Sequence, residues 1–508
     1  MTLPTAGTAP APSPRSLLRG VFRAGPASRT LHLTWFAFFT TFVVWFNFAP
    51  FATTIGDQFD LSKGQLVTLG LGNLALTVPA RLVVGSLLDR FGPRRTFSAI
   101  LVYALVPCLV FATAQDFTGL VIGRLLVGVV GAGFVVGIRM VSEWFPPGAV
   151  GTAEGIYGGW GNFGAAAATL ALPVAADVVG GPDGWRWAIA GTGVAAAAFG
   201  LVYARSVTDT PGGVAYQRTT KASALEVTSP SAVWGLMALS VPLAVALGVI
   251  GWRIWKVGVI TTAGLAVAIA ASALLLAVQL LTVHRANGRA RADGYPPEEQ
   301  YPFRSVAVLS FAYACTFGSE LAAVSFLPTF FETTWGLSAA VAGAAASAFA
   351  VMNLVSRPAG GLISDLVASR RRWLATLLGC LGAGYLVLSR LTGAWPLGVA
   401  IALVLGTSLF AQAGNGAVYA IVPLVNKQVS GQIAGMAGAY GNVGGIVFLT
   451  TLLFVPVQTV FAVMGGASLL ACLAARRLTE PARLHPHAPV AGGTAATSAT
   501  GPLAPASA

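Results

Sequence analysis

Arg81 and Arg357 stand deep inside long apolar runs and open the same polar pattern, in which Gly, Asp and an Arg pair follow at fixed distances. The first copy reads Arg81, Gly85, Asp89, Arg94, Arg95; the second reads Arg357, Gly361, Asp365, Arg370, Arg371, with identical spacings. An arginine at the centre of a bilayer costs ~2.5 to 3.5 kcal/mol on insertion scales, and such charges are functional by default. No carboxylate lies within one helical turn of either arginine. A guanidinium donates parallel hydrogen bonds and stays protonated, which suits a small planar oxyanion. One fork from each copy makes a paired anion clamp.

A second pattern is also repeated. G-x-x-x-G-x-x-G-x-x-G-N-x-G runs from Gly151 through Gly155, Gly158, Gly161 and Asn162 to Gly164, and again from Gly431 through Gly435, Gly438, Gly441 and Asn442 to Gly444. Glycines one turn apart let helix backbones approach closely, as small-xxx-small faces do. The repeated Asn162 and Asn442, with Gly158 and Gly438, line a site in the preferred reading, and the amides add neutral donors to the anion.

The elements that carry these residues follow from composition. Of 508 residues 56% are apolar and only 9% charged, against ~25% charged in a soluble domain. At ~20 apolar residues per spanning helix, the chain supplies twelve to fourteen spans and is a polytopic membrane protein, not a soluble enzyme. The net charge of +13 is spread in short clusters between apolar runs, which reads as loop topology and not as a nucleic-acid surface. The four cysteines lie in apolar stretches without C-x-x-C spacing; no disulfide, metal site or cofactor is expected.

Six apolar segments fill 31–205, two more fall within a 206–301 linker, and six fill 302–477. Residues 1–30 form a cytoplasmic tail, in which Arg15, Arg19 and Arg23 recur opposite Leu18, Val21 and Phe22, and 478–508 a disordered one. The expected architecture is all-α: two pseudo-symmetric six-helix bundles plus an inserted helix pair, about fourteen spans. With the first end inside, arginine-rich loops containing Arg90, Arg94 and Arg95, then Arg205, Arg218 and Lys221, then Arg370 to Arg372 all fall on the cytoplasmic side. Arg253 and Lys256 fall on the other side. Arg81 lies eight residues from Asp89, ~12 Å along a helix, near the middle of a ~30 Å core. Transporters built from two repeats hold substrate at the repeat interface and rock the halves around it.

These residues resemble a known family. GSLLDRFGPRR at 85–95 resembles the loop motif after the second helix of the major facilitator superfamily. GIYGGWGNFGAA at 155–166 and GMAGAYGNVGGI at 435–446, with the mid-helix Arg81 and Arg357, resemble the nitrate/nitrite porter family more specifically. The resemblance implies nitrate or nitrite as substrate and assigns Tyr313 and Phe317, in YACTFGSE, to the binding site. It covers 31–205 and 302–475. The family fold has twelve helices, so 229–300 departs from it.

Importing an anion against an inside-negative potential costs ~2.3 kcal/mol per 100 mV, so import needs two or more protons or exchange for another anion. Glu320 shares a helical face with Tyr313 and Phe317 and is either a proton carrier or a carboxylate bonded to a neighbouring helix. Arg139 and Glu143 form a structural pair or a gate. Asp89 with Arg94, and Asp365 with Arg371, are expected to close the cytoplasmic gate. Glu154 has Ala434 as its counterpart and falls outside the symmetric site. The expectation is a monomeric nitrate importer of the plasma membrane, using protons as co-substrate within a lipid bilayer. The alternatives are nitrate/nitrite exchange and an anion sensor without transport.

Overall fold

The computed structural model describes residues 13–216, 224–292, 294–296, 299–337 and 339–480. Arg218, Lys221, Glu298, residues 1–12 and most of the expected C-terminal tail, 481–508, lie outside the described residues. Among the described residues every regular element is helical.

The first half contains α1 (Pro14–Phe22), α2 (Pro26–Phe46), α3 (Ala52–Gln58), α4 (Lys63–Phe91), α5 (Pro93–Tyr103), α6 (Leu105–Ala112), α7 (Phe117–Val127), α8 (Gly133–Trp144), α9 (Val150–Val179) and α10 (Gly184–Ser206). The insertion supplies α11 (Pro230–Lys256), α12 (Thr262–Ala286) and the short α13 (Gly288–Ala292). The second half contains α14 (Phe303–Trp335), α15 (Ala339–Val351), α16 (Asn353–Leu366), α17 (Arg370–Leu388), α18 (Leu397–Val425), α19 (Ser430–Thr451) and α20 (Val457–Ala475). Twelve helical stretches among the described residues are long and apolar enough to cross a membrane. α15–α16 and α17 are not among them but mirror α4 and α5–α6 in the repeat.

Local sequence sets the ends that matter. Ser62 and Gln65 form a reciprocal capping box that starts α4. Gly92, at φ +87°, ends it in a conformation that side chains avoid, and Pro93 opens α5. α15 and α16 meet at Met352, so Asn353 and Arg357 occupy the first turns of α16.

The halves meet along two seams, α4 on α19 and α9 on α16, and the glycine runs explain both. A Cβ on Gly155 would stand 2.8 Å from the Arg357 carbonyl oxygen, and one on Gly435 would stand 2.6 Å from that of Arg81. The repeated glycines thus let backbones of opposite halves touch.

The insertion packs outside the bundle. α11 lies against α4 and α19, and the Tyr440 hydroxyl donates to Leu239 O at 2.9 Å. α12 packs on α11 and leaves Val267, Leu274 and Leu275 exposed, as a lipid-facing helix does. α1 seats on α2, α9 and α16, burying Leu17 and Val21. Of the three apolar residues expected opposite its arginines, Leu18 and Phe22 are exposed instead, although the Phe22 ring lies 5.9 Å from that of Trp160.

Candidate functional site

Both arginines are buried at the meeting of the halves. Arg81, 0% exposed, comes from α4, and Arg357, 1% exposed, from α16. Arg81 donates through Nε to Gly131 O at 3.4 Å and through Nη1 to Gly438 O of the opposite half. Arg357 donates through Nη2 to the Tyr313 hydroxyl at 3.4 Å. Nη2 of Arg81 and Nη1 of Arg357 are buried without a partner. A buried donor left unpaired costs about 1–3 kcal/mol, more for a charged group. Two such donors in one centre mark a place for an acceptor that arrives from outside the chain.

The glycines of the two signatures give the guanidinium groups their room. A Cβ on Gly158 would stand 2.5 Å from Arg357 Nε, and one on Gly438 would stand 3.2 Å from Arg81 Nη1. A Cβ on Gly441 would reach 2.7 Å from Tyr313. Packing between halves and room for the site are therefore one property of these runs.

Aromatic rings wall the centre. Tyr313 stacks on Phe317 at 5.0 Å, and Phe134, on α8 of the other half, lies parallel to Tyr313 within 1° at 6.1 Å. Tyr419 stands edge-on to both, 4.8 Å from Tyr313 and 4.7 Å from Phe134. Phe134 faces both cations, with Arg81 Cζ at 5.6 Å and Arg357 Cζ at 5.1 Å. Phe317 also faces Arg81, at 5.5 Å. Ring faces attract cations without neutralising them, so they hold the guanidinium groups and leave the net charge for a ligand. Sequence reading missed Phe134 and Tyr419, because an aromatic residue in an apolar helix carries no mark of which neighbour it meets.

The two signature asparagines differ in use. Asn162 Nδ2 donates to Asn353 Oδ1 across the seam at 3.3 Å, so that amide is engaged in a side-chain chain. Asn442 is fully buried with both polar atoms unpartnered and keeps its donor free. Asn353 in turn donates to Glu320 Oε1 at 2.7 Å, and Asn415 donates to Oε2 at 2.7 Å. Both oxygens of Glu320 are thus held by amides from α16 and α18.

The arginine-rich face is closed, but not by the expected pairs. Asp89 Oδ2 accepts from the backbone N–H of Gln432 at 3.1 Å, at the start of α19. Asp365 accepts from the N–H groups of Gly151 at 3.0 Å and Thr152 at 2.6 Å, at the start of α9, and from the Thr152 hydroxyl. Each carboxylate therefore reaches a helix N-terminus of the other half, where free N–H groups and the helix dipole favour an anion. Arg94 and Arg371 were the wrong partners. The Arg94 N–H donates to Asp209 within its own half, and Arg371 Nη1 donates to Leu478 O. Arg370 pairs with Asp365 at 2.7 Å, because adjacent residues on a helix point about 100° apart and only one faces the seam. Arg139 and Glu143 do pair, at 2.9 Å. Arg139 also crosses to Lys427 O and, at 2.6 Å, to the Ser430 hydroxyl.

Comparison with known proteins agrees with this architecture. A family model described as Major Facilitator Superfamily matches residues 34–289. A nitrate/nitrite transporter of Picosynechococcus sp. is 50% identical over 454 residues, 84% of each chain. One from Nostoc punctiforme is 49% identical over 476 residues, covering 92% of this chain and 95% of that protein. Among solved structures, a human organic anion transporter superposes at a TM-score of 0.61 with 12% identity, over 89% of this chain and all of that one. A proton:xylose symporter superposes at 0.58 with 14% identity, over 88% of this chain and 94% of its own. The chain is thus a multi-pass membrane transporter and not an enzyme, and it belongs to the nitrate/nitrite porter family of the major facilitator superfamily.

Proposed function

We propose that this protein imports nitrate, and accepts nitrite, by alternating access coupled to protons. The observation that carries the reading is the pair of buried arginines from opposite halves, each with one unpartnered donor. A planar monovalent anion satisfies both donors at once and offsets part of the twofold positive charge. The names of the two similar cyanobacterial proteins point to the same anions. Asn442 supplies a further donor, and Asn162 acts through Asn353. Phe134 and Tyr313, parallel and 6.1 Å apart, form a slot for a flat anion. Two carbon contacts of ~3.5 Å need ~7 Å between the rings, so the slot widens slightly on binding.

In this reading the arginine-rich face is cytoplasmic, both termini lie there, and the membrane is the cell's plasma membrane. The described state is closed on that side through Asp89, Asp365, Arg139 and Arg370. Rocking the halves breaks these cross-seam bonds and opens the site inward, after which the gate re-forms. The two bundles, 31–205 and 302–477, are the moving bodies, and the protein works as a monomer.

The test is nitrate uptake into proteoliposomes that hold no internal anion substrate, with and without an inward proton gradient. Uptake that requires the gradient supports proton-coupled import. Uptake only after nitrite is loaded inside identifies exchange and overturns the coupling. A second expectation concerns the slot. Phe134→Leu keeps volume but removes a ring face from both cations, each contact being worth ~0.5 to 2 kcal/mol. Nitrate affinity, read from nitrate-dependent thermal stabilisation of the purified protein, falls about fivefold to thirtyfold.

A further inference from the structure

Glu154 is 1% exposed, and neither carboxylate oxygen has a hydrogen-bond partner among the described residues. It lies on α9 one turn, ~6 Å, from Gly158, the glycine that makes room for Arg357, on the side toward the arginine-rich face. Resting on the proton-coupled reading above, we propose that Glu154 is the group that carries the proton and that it shares Arg357 with the transported anion.

The surroundings limit the choice to this residue. Arg357 of α16 is the charged group within electrostatic reach of Glu154, and Tyr157 of its own helix and Tyr419 of α18 are the nearby hydroxyls. The other ionisable groups on helices packed against α9 are engaged. Asp365 is held by Gly151, Thr152 and Arg370. Arg139 of α8 is paired with Glu143. Tyr203 of α10 meets the Thr34 hydroxyl at 3.0 Å, and His32 of α2 accepts from Trp35 at 2.8 Å. Glu320 has both oxygens occupied by amides, which hold an ionised carboxylate in place and leave no site for a proton. Glu154 has nothing to give up on protonation.

Charge balance supplies the coupling. With the anion site empty, Arg81 and Arg357 stand against ionised Glu320 and ionised Glu154, and the centre is neutral. A bound nitrate adds one negative charge, and a proton on Glu154 restores neutrality. Uncompensated charge in a buried site costs several kcal/mol, so anion and proton enter together. The proton comes from external water to the Glu154 carboxylate before the anion fills the site. When the arginine-rich side opens, water takes the proton, and the carboxylate reclaims Arg357 and displaces the anion. One proton then accompanies one nitrate, the loaded carrier moves no net charge, and the membrane potential drops out. The sequence-level requirement for two or more protons is thereby relaxed to one. Ala434, the counterpart of Glu154 in the second half, cannot substitute for it.

The experiment compares wild type, Glu154→Gln, Glu154→Ala and Glu320→Gln in proteoliposomes held at zero potential. Gradient-driven nitrate uptake is read beside nitrate counterflow without a gradient. Wild type accumulates nitrate about tenfold per unit of pH difference. In Glu154→Gln the ratio of gradient-driven uptake to counterflow falls at least about tenfold, and counterflow loses its pH dependence. Glu154→Ala, which places the residue of the second repeat in the first, gives the same split if the glutamine variant is unstable. Gradient-driven accumulation by both Glu154 variants at the wild-type ratio overturns the proposal and leaves proton-coupled import standing. Loss confined to Glu320→Gln also overturns it. A wild type that exchanges nitrate but never accumulates it with a gradient overturns the coupled reading itself, and the proposal with it.

Discussion

Arg81→Lys and Arg357→Lys each reduce nitrate uptake by about 10- to 150-fold while the protein still reaches the membrane. A hydrogen bond to a charged group is worth ~1.5 to 3 kcal/mol, which corresponds to that range at 1.4 kcal/mol per decade. Lysine keeps the charge but loses the planar fork, so it cannot bond the ligand and its second-half anchor together. For Arg81 that anchor is Gly438 O, and for Arg357 it is the Tyr313 hydroxyl. Uptake and nitrate-dependent thermal stabilisation measured on the same preparations separate lost binding from lost folding. Wild-type affinity in either variant would remove the clamp from the account.

Gly155→Ala and Gly435→Ala are expected to hold the arginine-rich side open. Each added methyl would meet backbone of the other half, at 2.8 Å from Arg357 O and 2.6 Å from Arg81 O. Backbone cannot swing aside as a side chain does, and overpacking of a tight contact typically costs 1–3 kcal/mol. That cost falls on the closed state, whose seams these glycines form, and not on the state in which they part. The equilibrium therefore shifts about 5- to 150-fold toward the open side. In a background without native cysteines, a cysteine at Ser364, which is fully buried here, should label faster from the arginine-rich side. External nitrate uptake should fall in parallel, since fewer molecules present the site outward. Unchanged labelling with normal uptake would mean the seams tolerate the methyl and that these glycines are passive spacers.

The repeat made much of this legible in advance. Identical spacings after Arg81 and Arg357 require matched helices, and matched helices in two halves place both arginines at one depth. The glycine signatures announced close approach, and the structure puts that approach at both seams. Tyr313 and Phe317 share a helical face by spacing alone and do wall the centre. Less was legible where residues meet across the seam. Phe134 and Tyr419 lie far from the clamp in sequence and carry no charge or motif. Arg370 replaced Arg371 at Asp365 because the rotational phase of α17 decides which neighbour faces the seam. Glu154 looked like an unmatched carboxylate with Ala434 opposite; only packing reveals that both its oxygens lack partners.

By itself the sequence determined the membrane setting, the two-bundle fold and the depth of both arginines. Each of these follows from periodicity and composition along the chain, which are local quantities. The tertiary structure decided which buried groups are satisfied: Glu320 by two amides, Asp89 and Asp365 by helix ends, and Arg81, Arg357, Asn442 and Glu154 each with a polar atom left unpaired. Satisfaction of a polar atom depends on a partner within ~3 Å. In a transporter whose halves meet only at their seams, that partner comes from chain hundreds of residues away.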